Sequence, residues 1–335
     1  MMPHPFPETI WKMADTELLS LLDNNLSTAQ HRTIHFYAPS FMNYKSSLFG
    51  SGNQEFPTIS VTAGSCALRC KHCGGKVLNT MHPATSPRKL FEMCSRLKDK
   101  GAKGCLISGG CSADGSVPLS NFMDALLRVK KELNMTVLVH TGIIDSAGAE
   151  DLKKSRIDTA LIDVIGSDKT IRDVYNLKMS VADYAQSLKS LDQAGIAFVP
   201  HVIVGLQYGK LEGELHALEM ISKFRPAAVV VIAFMPIHKT EMEHVNPPKP
   251  LDIARVALMA RLMLPETPVV LGCMRPQGKR RIDTDILAIK AGVDAMAFPT
   301  QEAIDYALSK GFKVESSSLC CSQIYTDLNN TRKNV

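Results

Sequence analysis

Cys66, Cys70 and Cys73 stand at C-x3-C-x2-C spacing in the run Cys66-Ala67-Leu68-Arg69-Cys70-Lys71-His72-Cys73-Gly74-Gly75. Three thiolates this close in sequence can bind three irons of a four-iron cluster and leave the fourth iron without a protein ligand. That open iron has room for a small chelating cofactor, to which the reduced cluster can pass one electron. Zinc is the competing reading, but structural zinc takes four ligands, usually in paired C-x2-C arms, and the sequence has no second arm. Packed, inert thiols are the other alternative. The chain has nine cysteines, an odd number, and opens without a basic-then-apolar signal region. Both features favour metal or redox chemistry over a disulfide framework, and reducing cytoplasm is the expected location.

A metal-binding loop needs a rigid frame, and the sequence predicts one. Eight short apolar runs recur from residue 56 onward: Pro57–Thr62, Gly104–Ser108, Thr136–His140, Thr159–Val164, Phe198–Val204, Ala228–Phe234, Val269–Cys273 and Val293–Phe298. Each is too short for a buried helix and reads as a strand covered on both faces. Segments with helical spacing lie between them, including Ser86–Lys100, Leu119–Leu133, Val181–Ala194, Glu212–Phe224, Leu251–Leu264 and Thr284–Ala291. The alternation predicts an α/β fold, a parallel (βα)8 TIM-type barrel over residues 51–311. An N-terminal cap (1–50) and a C-terminal tail carrying Cys-Cys-Ser (312–335) flank it. In such barrels chemistry collects in loops at the C-terminal strand ends, and the cysteine array follows the first strand. Lys plus Arg exceed Asp plus Glu by 38 − 33 = 5, and only Lys279-Arg280-Arg281 and the residues around Arg128-Lys130-Lys131 cluster. Neither nucleic acid nor membrane is an expected partner; no apolar run approaches a bilayer-spanning length.

The cysteine loop, its position and the strand pattern over about residues 30–325 resemble the radical S-adenosylmethionine (SAM) superfamily, in its biotin-synthase-like branch. The resemblance implies a [4Fe-4S] cluster on Cys66, Cys70 and Cys73, with SAM chelating the open iron. A 5′-deoxyadenosyl radical would then abstract hydrogen from unactivated carbon. Ser108-Gly109-Gly110 looks like the family's turn that meets the SAM amino group. His201-Val202-Ile203-Val204-Gly205-Leu206, followed by Glu212 and Glu214, is similar to its adenine-side glycine motif. Gly109, Gly110 and Gly205 are thus expected cofactor contacts. Asp163, ending the fourth strand, and His140, ending the third, are further ones, with a satisfied core histidine the alternative for His140.

Four more cysteines could form a second iron–sulfur cluster. Cys111 follows the Gly-Gly turn, Cys273 ends the seventh strand, and Cys320 and Cys321 lie in the tail. A tail crossing the barrel rim would bring them together. Arg275 is expected near that cluster, by resemblance to the late-strand arginine of biotin synthase. The combination of Ser-Gly-Gly-Cys, Leu271-Gly272-Cys273-Met274-Arg275-Pro276 and Cys320-Cys321-Ser322 is similar to the two-subunit, archaeal-type lipoyl synthases. That resemblance implies sulfur insertion into an octanoyl chain on a lipoyl carrier protein, a paralogous radical SAM subunit, and a flavodoxin- or ferredoxin-type electron donor. Rival readings are a biotin-synthase-type enzyme, a mutase or a cofactor-maturation enzyme of the same fold, and a non-catalytic iron–sulfur or electron-transfer protein.

Overall fold

The computed structural model describes residues 7–25, 33–52 and 54–333. Segments such as Val229–Ala233, in which all five residues are buried, offer no polar face to water and so lie between layers. Eleven strands make one parallel sheet among the described residues: β1 (Thr33–Tyr37), β2 (Thr58–Ser60), β3 (His82–Pro83), β4 (Gly104–Ser108), β5 (Thr136–His140), β6 (Thr159–Asp163), β7 (Phe198–Val204), β8 (Val229–Ala233), β9 (Val269–Leu271), β10 (Ala295–Ala297) and β11 (Lys313–Ser317). Their order is β11-β1-β10-β9-β8-β7-β6-β5-β4-β2-β3. The eight predicted runs supply β2 and β4–β10, and helices connect most successive strands.

The sheet is curled. Its inward residues Tyr37, Leu138, Leu161, Val199, Val230, Val270 and Ala295, from seven strands, belong to one buried cluster. β1 and β6 stand five strands apart in the order, about 24 Å on a flat sheet. Yet two residues of one helix reach both: the Tyr37 hydroxyl donates to Asp327, and the Tyr325 hydroxyl pairs with Thr159 at 2.8 Å. The C-terminal helix Ile324–Lys333 therefore closes the interior on the side where β6 begins.

Two departures from the expected eight-strand closed barrel concern the chain ends. Thr33–Tyr37, within the predicted cap, is a full member of the sheet, and Lys313–Ser317, within the predicted tail, is its edge. No pairing closes β3 onto β11 among the described residues. The edge strand Lys-Val-Glu-Ser-Ser is polar and partly exposed, so it lacks the apolar signature that marks the central strands. Helices Pro7–Lys12 and Asp15–Asn25 are latched by buried Arg255, which donates to the carbonyls of Ile10, Trp11 and Met13 and pairs with Asp15.

Candidate functional site

The loop after β2 is fixed from two sides. Against the loop after β4 it is zipped by three hydrogen bonds: Val61 N–H to Ser108 O, Gly110 N–H to the Thr62 hydroxyl at 2.7 Å, and Ala67 N–H to Cys111 O. Against the region after β6, Lys71 N–H donates to Val174 O, the Cys70 thiol lies 3.7 Å from Tyr175 O, and Asn176 Nδ2 donates to Leu68 O. Within the loop, Cys70 O accepts from both Cys73 N–H and Gly74 N–H, which turns Cys70 and Cys73 toward each other.

Gly110 is a steric requirement. A Cβ there would meet Ser65 O at 2.0 Å and Cys66 Cβ at 2.5 Å, so the two loops touch backbone to backbone. Gly109 is roomier, with Val61 and Thr62 methyls at 3.0–3.1 Å from an added Cβ. Between the loops lies a cavity of about 620 Å³, bordered by Thr62, Cys66, Arg69, Gly75, Gly110 and Cys111.

Electrostatics set Cys70 and Cys73 apart. The Cys70 thiol, hydrogen-bonded to Cys73, draws Cys73 toward thiolate; burial opposes and His72 assists. Cys70 is pushed the other way by that bond and by burial. Nδ1 of His72 is buried without a hydrogen-bond partner, an arrangement that costs free energy unless a bound group satisfies it. Three thiolates, side-chain-free backbone at Gly75 and Gly110 and an adjoining cavity fit an iron–sulfur cluster with a small cofactor.

The glycine expected as an adenine-side contact follows β7. Gly205 (φ +73) closes against Pro248, 2.7 Å from where a Cβ would be, and its N–H donates to Glu214 Oε1 at 2.8 Å. Glu214 also accepts from Glu212 N–H at 2.6 Å. Burial nevertheless dominates, and Glu214 is pushed up to about 7. A carboxyl raised by folding stabilises the native state fully below its unfolded value of about 4.5 and loses that contribution as pH rises through 7. Stability should therefore fall by about 3 kcal/mol between pH 4.5 and 7 from this group alone. Anaerobic denaturant titrations at several pH values should find this slope in the wild type and a flatter one in Glu214→Gln; equal slopes would contradict the assignment.

His140 and Asp163 meet, with Nε2 to Oδ1 at 3.4 Å, and the structure adds His201, whose side chain the sequence reading did not single out. The signal was present: His201 lies two residues beyond inward-facing Val199, as His140 and Asp163 lie two beyond Leu138 and Leu161. Burial works against charging His140, yet the Asp163 carboxylate leaves it raised.

The four remaining candidate cysteines do not form one group. Cys111 faces the first cavity, its thiol pushed up to about 12 by burial and by Cys66. Cys273 and Cys320 lie within electrostatic reach of each other, packed with buried Cys321 against the barrel interior. Connectivity explains the split, because the Ala67–Cys111 hydrogen bond ties Cys111 to the first loop. Arg275, expected near that second group, lies within electrostatic reach of Cys273. It is wholly buried, pairs with buried Asp285 at 2.6 Å, and donates to Gly272 O and Phe298 O.

The three-cysteine loop after β2 and the cavity beside it have the donor atoms and the space for an iron–sulfur cluster and a small molecule. Residues 60–220, just under half of the chain, match the model of the radical SAM superfamily. Curated relatives include biotin synthases of Leptospira interrogans (22% identical over 233 residues, 68% of this chain and 66% of that one) and Zymomonas mobilis (24% over 257 residues, 73% and 74%). The match thus spans just under two thirds of the Leptospira relative's own length. Among solved structures, methylornithine synthase aligns with a TM-score of 0.60 at 15% identity, over 97% of this chain and 99% of that one. An FeFe-hydrogenase maturase from Carboxydothermus hydrogenoformans aligns with 0.62 at 15% identity, over 92% and 74%. These similarities extend the fold assignment to nearly the whole chain. No helix among the described residues is long and apolar enough to cross a membrane.

Proposed function

We propose that this chain is a radical SAM enzyme that inserts sulfur at unactivated carbon, acting on an octanoyl chain carried by a lipoyl carrier protein together with a paralogous radical SAM subunit. When bound, a [4Fe-4S] cluster with SAM, reduced by a flavodoxin- or ferredoxin-type donor, supplies a 5′-deoxyadenosyl radical. Cys66, Cys70 and Cys73 would hold three of its irons, Gly110 lets the β4 loop close on them, and Cys111 borders the cavity between. Leu138, Leu161, Val199 and Val230 supply an apolar interior that excludes water from a reactive carbon.

The observation that carries the sulfur reading is the second thiol group. Cys273, Cys320 and Cys321 gather where two buried guanidiniums, Arg275 and Arg281, face one buried carboxylate, Asp285. Nη1 of Arg281 has no hydrogen-bond partner. A thiolate-ligated iron–sulfur group is anionic and would offset that excess positive charge.

The experiment is mass analysis of an octanoylated carrier peptide incubated with SAM, reductant and the paralogous subunit. The expected result is sulfur gain with wild type, and loss of the sulfur-bearing product in Cys273→Ser and Cys320→Ser with 5′-deoxyadenosine release retained. Unchanged sulfur-bearing product in both variants would place the sulfur source away from Cys273 and Cys320, and no sulfur gain with wild type would favour a radical reaction without sulfur transfer.

A further inference from the structure

His140 and Asp163, expected from the sequence as cofactor contacts, form with His201 a second constellation. All three project from the inner face of adjacent strands, one layer beyond Leu138, Leu161 and Val199. Asp163 pairs in register with His201, and His140 pairs with Leu161, two residues before Asp163, so the three stand on one inner face with His140 offset along the strands. One ligand atom from each lies within 4.8 Å of the others. We propose that His140, Asp163 and His201 bind one divalent transition ion, zinc or ferrous iron, separate from the cysteine site and open to an oxygen or nitrogen donor of the substrate.

Three observations support this. First, the 3.4 Å between His140 Nε2 and Asp163 Oδ1 is longer than an ordinary N–H···O bond. It matches the ~3.4 Å expected between two ligands held about 2.0–2.1 Å from one tetrahedral ion. Second, His201 Nδ1 lies 3.1 Å from Val199 O. A carbonyl only accepts, so Nδ1 carries the proton and Nε2 keeps its lone pair for a metal, the outer hydrogen bond that metal-binding histidines characteristically make. Third, the donor set of two imidazoles and one carboxylate suits zinc and ferrous iron and is poor for magnesium or calcium.

Three ligands leave at least one coordination position free, the pattern of a catalytic or substrate-binding ion rather than a closed structural one. The side chains of His140 and Asp163 are 24% and 30% exposed, so that position is reachable. Asp163 also lies within electrostatic reach of His72 and Cys111. An ion here would anchor a polar group of the substrate near the cysteine loop without replacing any cluster ligand.

The test is anaerobic equilibration of the reconstituted holoenzyme with zinc chloride, followed by desalting and metal quantification. The expected result is one zinc per chain beyond cluster iron, absent from His140→Ala, Asp163→Asn and His201→Gln and retained by the Cys66/Cys70/Cys73→Ala triple variant. Far-ultraviolet circular dichroism checks that each variant is folded. Cobalt(II) bound to the triple variant should show ligand-field bands without thiolate charge-transfer absorption. Zinc that is lost only with the cysteines, zinc indifferent to all three substitutions, or none retained by folded wild type would each overturn the proposal.

Discussion

Gly110→Ala will lower 5′-deoxyadenosine release from SAM by about 100-fold, the scale expected when a reacting constellation is displaced by about 1 Å. The added methyl would stand 2.0 Å from Ser65 O and 2.6 Å from Cys66 Cα, and neither is the end of a flexible side chain that could swing away. The β4 loop must back off, breaking the bonds Gly110 N–H to Thr62 and Ala67 N–H to Cys111 O that fix the cysteine loop. Global stability should fall by only about 1–3 kcal/mol, the usual cost of overpacking. Iron content and the rate of SAM cleavage, measured on protein shown to be folded, separate the two effects. A variant with wild-type iron and wild-type rate would mean that the contact between the loops does not position the site.

Arg275→Ala will be the most destabilising single substitution outside the cysteine loop, by about 3–5 kcal/mol, because it strands the Asp285 carboxylate at 0% side-chain exposure. Gly272 O and Phe298 O lose a donor at the same time. Asp285 also accepts from Thr300 N–H, so the pair ties the end of β9 to the loop after β10 and to helix Lys279–Lys290. Asp285→Ala should cost a comparable amount, and the double variant less than the sum, since each removes the same interaction. Denaturant midpoints of the four proteins in a double-mutant cycle measure this. Strict additivity would mean that Arg275 acts elsewhere, for instance directly on a ligand.

The cysteine loop was legible as a motif because its thiols and glycines are close in sequence. Three thiols within eight residues and two glycines after them carry their meaning in spacing alone. The central strands were legible for a related reason: a strand buried on both faces has no polar residues to blur its limits, and β4, β5 and β7 begin and end as expected.

What escaped the sequence depends on contacts between distant segments. Thr33–Tyr37 could be seen as β-branched and aromatic, but nothing local says that it pairs with β10 and β11. Arg275, two residues from Cys273, reads as a cluster neighbour, but spacing does not show that it also pairs with Asp285 ten residues later. Cys111 parts from Cys273 because its loop is bonded to Ala67, a link of 44 residues that spacing does not reveal. His201 sits in a strand otherwise apolar and was passed over as part of a glycine motif, although its inward phase could be counted from Val199.

The central claim is that Cys66, Cys70 and Cys73 hold the cluster at which SAM is cleaved. The most direct measurement is anaerobic reconstitution of wild type and the Cys66/Cys70/Cys73→Ala variant, with iron, sulfide and 5′-deoxyadenosine quantified under reduction. The account predicts about eight irons per wild-type chain, two four-iron clusters, falling to about four in the variant with 5′-deoxyadenosine release abolished. Zinc in place of iron, or a variant that still cleaves SAM at the wild-type rate, would contradict it.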